Sequence, residues 1–563
     1  MERVWQRFYD EGVPLEIEEP REPLFVQLEK TAREFPQVVA INFLGTRLTY
    51  QKLVDQVSRF AASLKSLRVE PGDRVAIMLP NCPQMVISYY AVLSIGAVVV
   101  MTNPMYVKRE MVHQFTDAGA RLLVALDHLF PRIKEVRSET PVEKLVVTSI
   151  RDYLPLPLNL LYPVKAMKKG LNLKVPYGKT IHPFKELVKR GSAGRPGPAV
   201  NMDDPAQIQY TGGTTGVPKG AVLTHRNVAA NVAQVSAWLP ALRRGGERFL
   251  SVLPFFHVFG ATVAMNFPIC SGASMTVLPR FEIKNFLKAI AKSRPTIAPL
   301  VPTIFRAMIN YPKLSQYDLS CIDYCISGSA PLPVEIMRRF EELTGGVILE
   351  GYGLSEASPV THVNPIKGKR KSGSIGIALP STDARIVDLE KGEKEKPFGE
   401  PGELVIKGRQ VMKGYWNMPQ ETAGVLRDGW LYTGDIAYMD EDGYVFLIDR
   451  KKDMIIAGGF NVYPREIEEV LCEHPKIADA AAIGVPDPYR GETVKVFVVT
   501  GPGEILTKEE VTGYCKERLA AYKVPGLVEF REELPKTIVG KVRRNHLRSE
   551  ELRKLAEEAR GAE

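Results

Sequence analysis

The segment YTGGTTGVPKGAVLTHRN, residues 210–227, combines glycines, threonines and a lysine in a pattern that suits neither a core strand nor a stable helix. Glycine is unfavourable in both elements, and threonine is stiff at χ1. Glycine also lets backbone N–H groups face a polyphosphate, while threonine hydroxyls add donors and a lysine adds positive charge. The segment therefore predicts a phosphate-binding loop. The alternative is a mobile surface loop without a ligand.

The spacing within this loop excludes a Walker A motif. That motif needs adjacent glycine and lysine, followed by serine or threonine. Here Val217 and Pro218 separate Gly216 from Lys219, and Gly220 follows. The phosphate chemistry of the loop is therefore predicted from its residue types rather than from a known P-loop pattern.

Two segments farther along the chain carry side chains suited to a nucleotide. EGYGLSEASP (350–359) places Tyr352 between two glycines and Glu356 four residues later. A tyrosine ring can stack on a nucleobase, and a carboxylate can hold Mg²⁺ near phosphates. DGWLYTGD (428–435) ends in Asp435, whose carboxylate can accept hydrogen bonds from both ribose hydroxyls.

Two segments nearer the C-terminus add basic side chains. DRKKDMIIAGGFNVYPREIE (449–468) contains Arg450 and a pair of glycines, and LPKTIVGKVRRNHL (534–547) places Lys541 after Gly540 on a predicted loop. Each of these residues also has an ordinary interpretation, because lone charged side chains are mostly exposed and solvated.

Alternating strands and helices are predicted to position the first of these segments. Residues 75–106 contain no charged side chain, but Pro80, Asn81 and Pro83 interrupt the apolar run that a membrane span would need. We therefore expect a buried strand–helix–strand unit there. The same alternation continues on both sides of the glycine-rich loop and predicts parallel sheets with right-handed crossovers.

The pattern changes beyond Ser374, where short strands joined by turns predict a small, mostly antiparallel β unit. After the charged run DRKKD, the sequence predicts a compact α+β domain. We expect an α/β protein with three parts. They are an N-terminal domain of parallel-sheet αβα layers plus the small β unit (1–449), a hinge (450–453) and a mobile α+β C-terminal domain (454–563).

Composition limits the class of protein. Hydrophobic residues make up 45% and charged residues 25% of the 563 residues, as in ordinary globular proteins. The net charge of +9 is weakly in favour of acidic partners such as nucleotides or anionic lipid, and the favoured interpretation is that solvated lysines are scattered over the surface. Six cysteines do not form a disulfide framework, and the N-terminus lacks the apolar core of a signal peptide. We therefore expect a cytoplasmic protein and no nucleic-acid partner.

In their order and spacing, the five segments closely resemble the adenylate-forming superfamily of acyl-CoA synthetases, luciferase and peptide-synthetase adenylation domains. The resemblance covers roughly residues 25–550. The further segments LPFFHVFG, SGSAPLPVEI, GYGLSEASPVTH and RDGWLYTGD look like those of bacterial long-chain fatty acid–CoA ligases. Asp449, which precedes Arg450, departs from the glycine of many members.

The resemblance implies that ATP activates a fatty acid as an acyl-adenylate, after which CoA displaces AMP. Electrostatic stabilisation by fixed cations and amides would carry most of the first step. Thr214 and Glu356 would hold Mg²⁺, and Lys541 would bridge the forming acyl–phosphate bond. Tyr352 would flank adenine, while the ribose would contact the Asp435–Arg450 pair. The residues assigned to the nucleotide are Thr211, Gly212, Gly213, Thr214, Thr215, Gly216, Lys219, Gly351, Tyr352, Gly353, Asp435, Arg450 and Lys541.

The resemblance also assigns residues to the acid, to CoA and to the hinge. His257 would lie beside the reacting carboxylate as a further catalytic residue, and its ordinary alternative is a histidine in an aromatic cluster. Gly328, Ser329 and Ala330 would line the acyl pocket, and Gly458 and Gly459 would let pantetheine pass. Lys452 would be the pivot about which the C-terminal domain presents a second face for the second step.

Other functions stay open on the sequence alone. The chain could activate a medium-chain or aryl acid, load a carrier protein, or bind acyl-nucleotides without catalysis. Residues 154–190 mix apolar side chains with Lys165, Lys168, Lys169 and Lys174, which indicates either peripheral contact with the inner face of the membrane or an ordinary surface insertion. The oligomeric state is left open, with a homodimer as one alternative.

Overall fold

A computed structural model describes residues 3–194, 200–211, 218–457, 460–487, 491–537 and 540–561. Two compact units make up the chain. The larger unit comprises Trp5–Asp383 and Lys407–Leu431, and the smaller comprises Met1–Val4, Ala384–Ile406 and Tyr432–Glu563. The residues of the predicted hinge, 450–453, lie inside the smaller unit, and their function as a pivot stays a prediction.

Helices follow the strands closely along the described chain. In chain order they are α1 (Leu24–Glu34), α2 (Tyr50–Ser66), α3 (Pro83–Ser94), α4 (Lys108–Ala118), α5 (Phe130–Arg137), α6 (Leu158–Lys168), α7 (Phe184–Arg190), α8 (His225–Ala237), α9 (Val258–Ala261), α10 (Phe267–Cys270), α11 (Ile283–Ser293), α12 (Pro302–Ile309), α13 (Val334–Thr344), α14 (Pro419–Val425), α15 (Pro464–Cys472), α16 (Lys508–Lys516) and α17 (Arg544–Gly561). A π-helical turn, Thr262–Asn266, joins α9 to α10.

The strands are, in chain order, β1 (Val39–Phe43), β2 (Thr46–Thr49), β3 (Arg74–Met78), β4 (Val98–Met101), β5 (Leu122–Leu126), β6 (Lys144–Thr148), β7 (Ile181–Pro183), β8 (Pro205–Thr211), β9 (Lys219–Thr224), β10 (Arg248–Ser251), β11 (Ser274–Val277), β12 (Ile297–Leu300), β13 (Tyr324–Ser327), β14 (Val347–Gly353), β15 (Val360–Val363), β16 (Ile377–Ala378), β17 (Thr382–Val387), β18 (Gly402–Gly408), β19 (Gly414–Tyr415), β20 (Leu426–Arg427), β21 (Trp430–Met439), β22 (Val445–Arg450), β23 (Ile455–Ala457), β24 (Phe460–Val462), β25 (Ile477–Asp487), β26 (Gly491–Thr500) and β27 (Leu527–Phe530).

Two sheets form the larger unit, and most of their strand pairs are parallel. One has the order β16-β15-β14-β13-β12-β10-β11-β1-β2, and the other β19-β9-β8-β4-β3-β5-β6-β7. In the first, β14 and β15 are antiparallel, as are β8 and β9 in the second. The predicted α/β class with parallel sheets is confirmed.

The charge-free stretch is the strand–helix–strand unit that the sequence predicts. β3 and β4 pair in parallel, and α3 crosses between them. Every residue of α3 is buried, as expected for a helix that is apolar on all sides. In the described part of the chain, no helix is long and apolar enough to cross a membrane.

The strand β9 leads directly into α8, and local hydrogen bonds fix the junction. The Asn227 backbone N–H donates to the Thr224 hydroxyl at 3.1 Å, and the Thr224 N–H donates to the Asn227 side-chain oxygen at 2.9 Å. This reciprocal cap satisfies two N–H groups at the start of the helix. It anchors the C-terminal end of the hairpin that carries the glycine-rich segment.

The smaller unit contains the predicted α+β domain. Its sheet has the order β24-β23-β26-β25, and β27 pairs with β26 in parallel. α15, α16 and α17 accompany this sheet along the chain. The antiparallel pair β21–β22, predicted within the small β unit, aligns Asp435 with Arg450.

Candidate active site

The glycine-rich segment connects two antiparallel strands of the larger unit. Thr211 at the end of β8 is paired in register with Lys219 at the start of β9. The predicted phosphate-binding residues Gly212, Gly213, Thr214, Thr215 and Gly216 lie outside the described residues. The strands therefore place the two ends of the predicted loop side by side.

Two side chains hold the Lys219 ammonium group. Its Nζ forms an ion pair with the carboxylate of Glu421, and it lies 5.3 Å from the centroid of the Tyr415 ring. The Lys219 side chain is only 14% exposed. The cation is therefore fixed in position at the end of the loop rather than free in solvent.

Glu356 lies in a short 3₁₀ turn just after β14, and Tyr415 contacts it too. The Tyr415 hydroxyl donates to Oε1 of Glu356 at 2.8 Å. The Met412 backbone N–H donates to the Glu356 carbonyl oxygen at 2.7 Å. The structure thus brings both Lys219 and Glu356 to one tyrosine, Tyr415, which the sequence analysis did not identify.

The end of β14 requires the glycine that follows Tyr352. A Cβ on Gly353 would lie 2.2 Å from the carbonyl oxygen of Pro359, so that only glycine fits. The Tyr352 ring meets the His362 ring edge-on, with centroids 6.0 Å apart. Burial lowers the pKa of His362 to about 3, so the imidazole beside Tyr352 is neutral.

The predicted acyl-binding loop adjoins the helix that follows His257. A Cβ on Gly328 would lie 3.2 Å from the Phe259 ring and 3.5 Å from the Gly351 carbonyl oxygen. Ser329 has a φ of +73°, which turns the chain, and Ala330 follows on the same loop. The structure therefore brings Gly328 close to both the β14 end and the start of α9.

His257 is the N-cap of α9, and its ring is oriented by the helix. Its Nδ1 accepts the Phe259 backbone N–H at 3.3 Å. Because Nδ1 is the acceptor, a neutral imidazole carries its proton on Nε2. The Gln209 side chain donates to the Phe256 carbonyl oxygen at 3.1 Å, which links this turn to β8.

In the smaller unit, the predicted ribose-binding residues form an ion pair. Arg450 Nε lies 3.1 Å from Oδ1 of Asp435, whose side chain is 8% exposed. Glu403 on β18 supports both strands, since its carboxylate accepts the Gly434 N–H at 3.1 Å and pairs with Lys451 Nζ at 3.0 Å. The pair is therefore held on a rigid β ladder.

The Lys541 ammonium group interacts electrostatically with both members of this pair, although it follows Arg450 by 91 positions in the sequence. Its backbone is tied to Thr537 by two hydrogen bonds, of 2.8 and 3.1 Å. Burial, together with the positive charges of Arg450 and Lys452, lowers the pKa of Lys541 from 10.5 to about 7, while the negative charges of Asp435 and Asp453 oppose the shift. The structure thus assembles cations around one lysine whose own charge is lost near neutral pH.

The charged run at the predicted hinge is part of the same cluster. Burial and the neighbouring Arg450 lower the pKa of Lys452. Asp449, the residue that departs from the family pattern, is buried, and its carboxylate accepts the backbone N–H groups of Arg450 and Arg465, each at 2.7 Å. This carboxylate joins β22 to the first turn of α15. Gly458 and Gly459 lie outside the described residues.

Arg544 anchors the Lys541 loop and was missed by the sequence analysis. Its Nε donates to the Glu468 carboxylate at 3.1 Å, and its Nη1 lies 3.4 Å from Oδ2 of Asp453. Glu468 also accepts the Ala482 N–H at 2.8 Å. Its position three residues after Lys541 in GKVRRNHL was the available signal, but a second arginine on a polar helix looks like an ordinary surface residue.

The chemistry of Glu356 suits Mg²⁺ in the presence of phosphates. Within the described residues, no group of three or more His, Cys, Asp or Glu side chains could enclose a metal ion. Mg²⁺ is commonly bound by one or two carboxylates together with substrate phosphates and water. With Oε1 of Glu356 bound to Tyr415, its second oxygen is suited to be such a ligand.

Comparisons with known proteins identify the family of the chain. The pattern described as "AMP-binding enzyme" matches residues 28–416, and "AMP-binding enzyme C-terminal domain" matches residues 466–541. The chain is 48% identical to a long-chain-fatty-acid–CoA ligase of Bacillus subtilis (strain 168), over 98% of both chains. It is 40% identical to the enzyme of that name from Yersinia pestis, over 98% of this chain and 99% of the relative. The crystal structure of ATP-bound MatB from Rhodopseudomonas palustris superposes with a TM-score of 0.82 at 31% identity, covering 94% of this chain and 98% of that chain.

Proposed function

We propose that this chain, which belongs to the family of AMP-binding enzymes, is an ATP-dependent ligase that joins long-chain fatty acids to coenzyme A. In the first step the fatty carboxylate attacks the α-phosphorus of ATP, which yields an acyl-adenylate and pyrophosphate. In the second step the sulfur of CoA attacks the acyl carbon, and AMP leaves. The names of the relatives support the choice of acid and thiol.

The observation that carries the proposal is the electrostatic interaction of Lys541 with the Asp435–Arg450 ion pair. The Asp435 carboxylate can accept hydrogen bonds from both ribose hydroxyls, and the Arg450 guanidinium lies beside it. A protonated Lys541 next to the same ribose would reach the α-phosphate and the attacking carboxylate. Because the reaction gathers negative charge there, a fixed cation lowers the barrier.

The larger unit supplies the residues for the other phosphates. Lys219, with the N–H and hydroxyl groups of the glycine-rich loop from Thr211 onward, would bind the β- and γ-phosphates. Glu356 would hold Mg²⁺ through its second carboxylate oxygen, with Thr214 as a further ligand. The metal, when bound, neutralises phosphate charge and orients the pyrophosphate leaving group. Tyr352 would then lie against the adenine.

His257 suits the reacting end of the acid. With its Nδ1 bound to the backbone, the ring can donate its Nε2 proton to one oxygen of the fatty carboxylate and orient the other toward phosphorus. Gly328, Ser329 and Ala330 would line the acyl pocket next to Phe259. Gly458 and Gly459 would leave room for the pantetheine arm of CoA.

An acid series tests the reaction and its substrate together. ATP–pyrophosphate exchange should be fastest with long-chain fatty acids and slow with short-chain and aryl acids. Adding CoA should then release AMP and acyl-CoA in equal amounts. Exchange driven best by an aryl or medium-chain acid would contradict the choice of substrate. Exchange that occurs without consumption of CoA would favour a carrier protein as the acceptor.

The Lys541→Ala variant separates catalysis from binding. We expect adenylate formation to fall by about 10²–10³, the usual effect of removing one transition-state contact. Conversion of supplied acyl-adenylate and CoA to acyl-CoA should persist. Normal exchange in the variant would exclude Lys541 from the mechanism. If the unaltered protein binds ATP and fatty acid but shows no ATP–pyrophosphate exchange, it is a binding protein rather than an enzyme.

Peripheral membrane contact is the second part of the proposal, in a protein we place in the cytoplasm. Residues 156–177 carry a concentration of exposed large apolar side chains, and Leu156 and Met167 are each 73% exposed. In α6 only Ala166 is buried. Lys165, Lys168, Lys169 and Lys174 are exposed among them. An apolar surface surrounded by lysines suits insertion at the headgroup level of an anionic bilayer.

Co-sedimentation with liposomes tests this contact. We expect binding to vesicles that contain anionic lipid and weaker binding when these four lysines are changed to glutamate. Four exposed lysines elsewhere in the larger unit provide a matched control with the same change in net charge: Lys284, Lys288, Lys292 and Lys313. If the two variants lose liposome binding equally, the net charge of the protein explains the effect. Unchanged binding in the first variant would contradict the proposed surface.

A further inference from the structure

Tyr415 occupies a fixed position opposite the strand that begins with Lys219. It is paired in register with Ala221 through the short contact between β19 and β9. Its backbone N–H donates to the Thr422 hydroxyl at 2.8 Å, and the neighbouring Trp416 N–H donates to the Gly220 carbonyl oxygen at 2.7 Å. The backbone of this residue is therefore held on both sides.

The hydroxyl of Tyr415 fixes one oxygen of a carboxylate. It donates to Oε1 of Glu356 at 2.8 Å, and the described residues make no other side-chain hydrogen bond to this carboxylate. One carboxylate oxygen is thus engaged, and the other keeps a defined direction.

The ring of Tyr415 also supports the cation at the end of the loop. Lys219 Nζ lies 5.3 Å from the ring centroid and pairs with Glu421 on its other side. A cation over an aromatic face is attracted by the ring quadrupole. One side chain therefore contacts both the carboxylate and the lysine that the proposed function assigns to the phosphates and their metal.

We infer that Tyr415 is a positioning residue for the triphosphate. Its hydroxyl orients Glu356 toward Mg²⁺, and its ring holds Lys219 for the β- and γ-phosphates. The inference rests on the proposed function. A positioning role affects the binding only of ligands that carry the β- and γ-phosphates, whereas a merely structural role would affect every ligand. AMP, which lacks these phosphates, would be bound without help from Tyr415.

The Tyr415→Phe variant removes the hydroxyl and keeps the ring. We expect it to bind the magnesium complex of α,β-methylene ATP about tenfold more weakly, as for the loss of a hydrogen bond to a charged group. AMP should bind as in the unaltered protein. Both affinities can be measured by calorimetry without turnover. The Mg²⁺ concentration that gives half-maximal pyrophosphate exchange should rise in parallel.

Two further variants make the test specific. Tyr9→Phe removes a phenol that donates to the Ala378 carbonyl oxygen at 2.6 Å, and it should leave both affinities unchanged. In a Glu356→Gln background, Tyr415→Phe should cause little additional loss, because the two residues act through one interaction.

The possible results separate the inference from the proposed function. Equal losses for AMP and for the triphosphate analogue would show a structural role and overturn the inference. Unchanged binding of the analogue in Tyr415→Phe would overturn it as well. If the unaltered protein binds neither ligand and supports no exchange with any fatty acid, the proposed function fails and the inference fails with it.

Discussion

The ionisation of Lys541 predicts an unusual dependence of adenylate formation on pH. Burial, with the charges of Arg450 and Lys452, lowers the pKa of this lysine from 10.5 to about 7. At pH 8 a group with that pKa is about 10% protonated, whereas a lysine with an ordinary pKa is more than about 99% protonated. If Lys541 acts as a cation, most molecules of the free enzyme lack the acting charge in mildly alkaline solution.

We therefore expect kcat/KM for ATP in pyrophosphate exchange to fall above pH 7. The fall should approach about tenfold for each pH unit, since kcat/KM reports the ionisation of the free enzyme. The Lys541→Arg variant should lose this dependence between pH 7 and pH 9, because a guanidinium stays charged. Its absolute rate should be lower, since the longer and planar group does not fit the position of an ammonium.

The assay is initial-rate exchange with a long-chain fatty acid between pH 6 and pH 9.5 at constant ionic strength. Lys536→Arg is the matched control, because Lys536 lies on the same loop and pairs with Asp479 rather than with the cluster. It should keep the decline of the unaltered enzyme. A flat profile in the unaltered enzyme, or the same decline in Lys541→Arg, would refute the reasoning that Lys541 must be protonated to act.

Three further predictions follow from the same structure. Lys452→Pro, at the predicted hinge, should leave pyrophosphate exchange mostly intact and slow thioester formation from isolated acyl-adenylate by about tenfold, since proline restricts φ; equal losses in both steps would indicate damage to the fold instead. Arg544→Lys should slow exchange by about tenfold and spare thioester formation, because a single ammonium cannot replace its bidentate contact with Glu468; a loss confined to thioester formation would contradict its role in anchoring the Lys541 loop. Burial lowers the pKa of His225 from 6.5 to about 4, so only the unfolded chain gains this proton as the pH falls between those values. Unfolding by urea should show that His225→Leu removes about 1.4 kcal/mol per pH unit of acid destabilisation in that range, and an unchanged slope would show that His225 is not its source.

Much of the fold and part of the site could be predicted because the evidence is local in sequence. The charge-free stretch that became β3, α3 and β4 is a run of apolar residues broken by prolines, which is sufficient to predict a buried unit. Asp435 lies within β21 and Arg450 at the end of β22, and the two strands are joined by a tight turn, so their pairing follows from an antiparallel hairpin. Such features need only short-range patterns and chemical type.

The residues that orient the site could not be predicted in the same way. Tyr415 meets Glu356 across 59 residues, and Arg544 meets Glu468 across 76. The hydrophobic periodicity of the sequence does not predict these contacts, because they depend on which loops the sheets bring together. The lowered pKa of Lys541 has the same origin, since burial by distant segments causes it. The motif alone is sufficient to predict a catalytic role for Lys541, whereas the pKa of Lys541 can be predicted only from the fold.

The exposure of side chains adds information on residues 154–190 that composition does not contain. In residues 154–190 the sequence shows apolar and basic side chains but cannot show whether the leucines pack inward. In the structure Leu160 is 70% exposed while Ala166 on the same helix is buried. Leucine on a polar surface without a covering partner costs hydration free energy. The exposed leucines are therefore accessible, as the proposed contact with lipid requires.

Lys219 in the larger unit and Lys541 in the smaller unit have different electrostatic surroundings. This difference suits the separate roles that the proposed function gives to these two lysines. Lys219 is paired with Glu421 and held over an aromatic ring, so its charge is fixed and balanced before any ligand arrives. The proton of Lys541 is instead destabilised, first by burial and then by repulsion from Arg450 and Lys452. A phosphate anion would relieve that repulsion and favour protonation. Lys219 is thus suited to hold the terminal phosphates throughout the reaction. Lys541 gains its full charge only when the reacting phosphate is present, as a group that acts in the first step alone should.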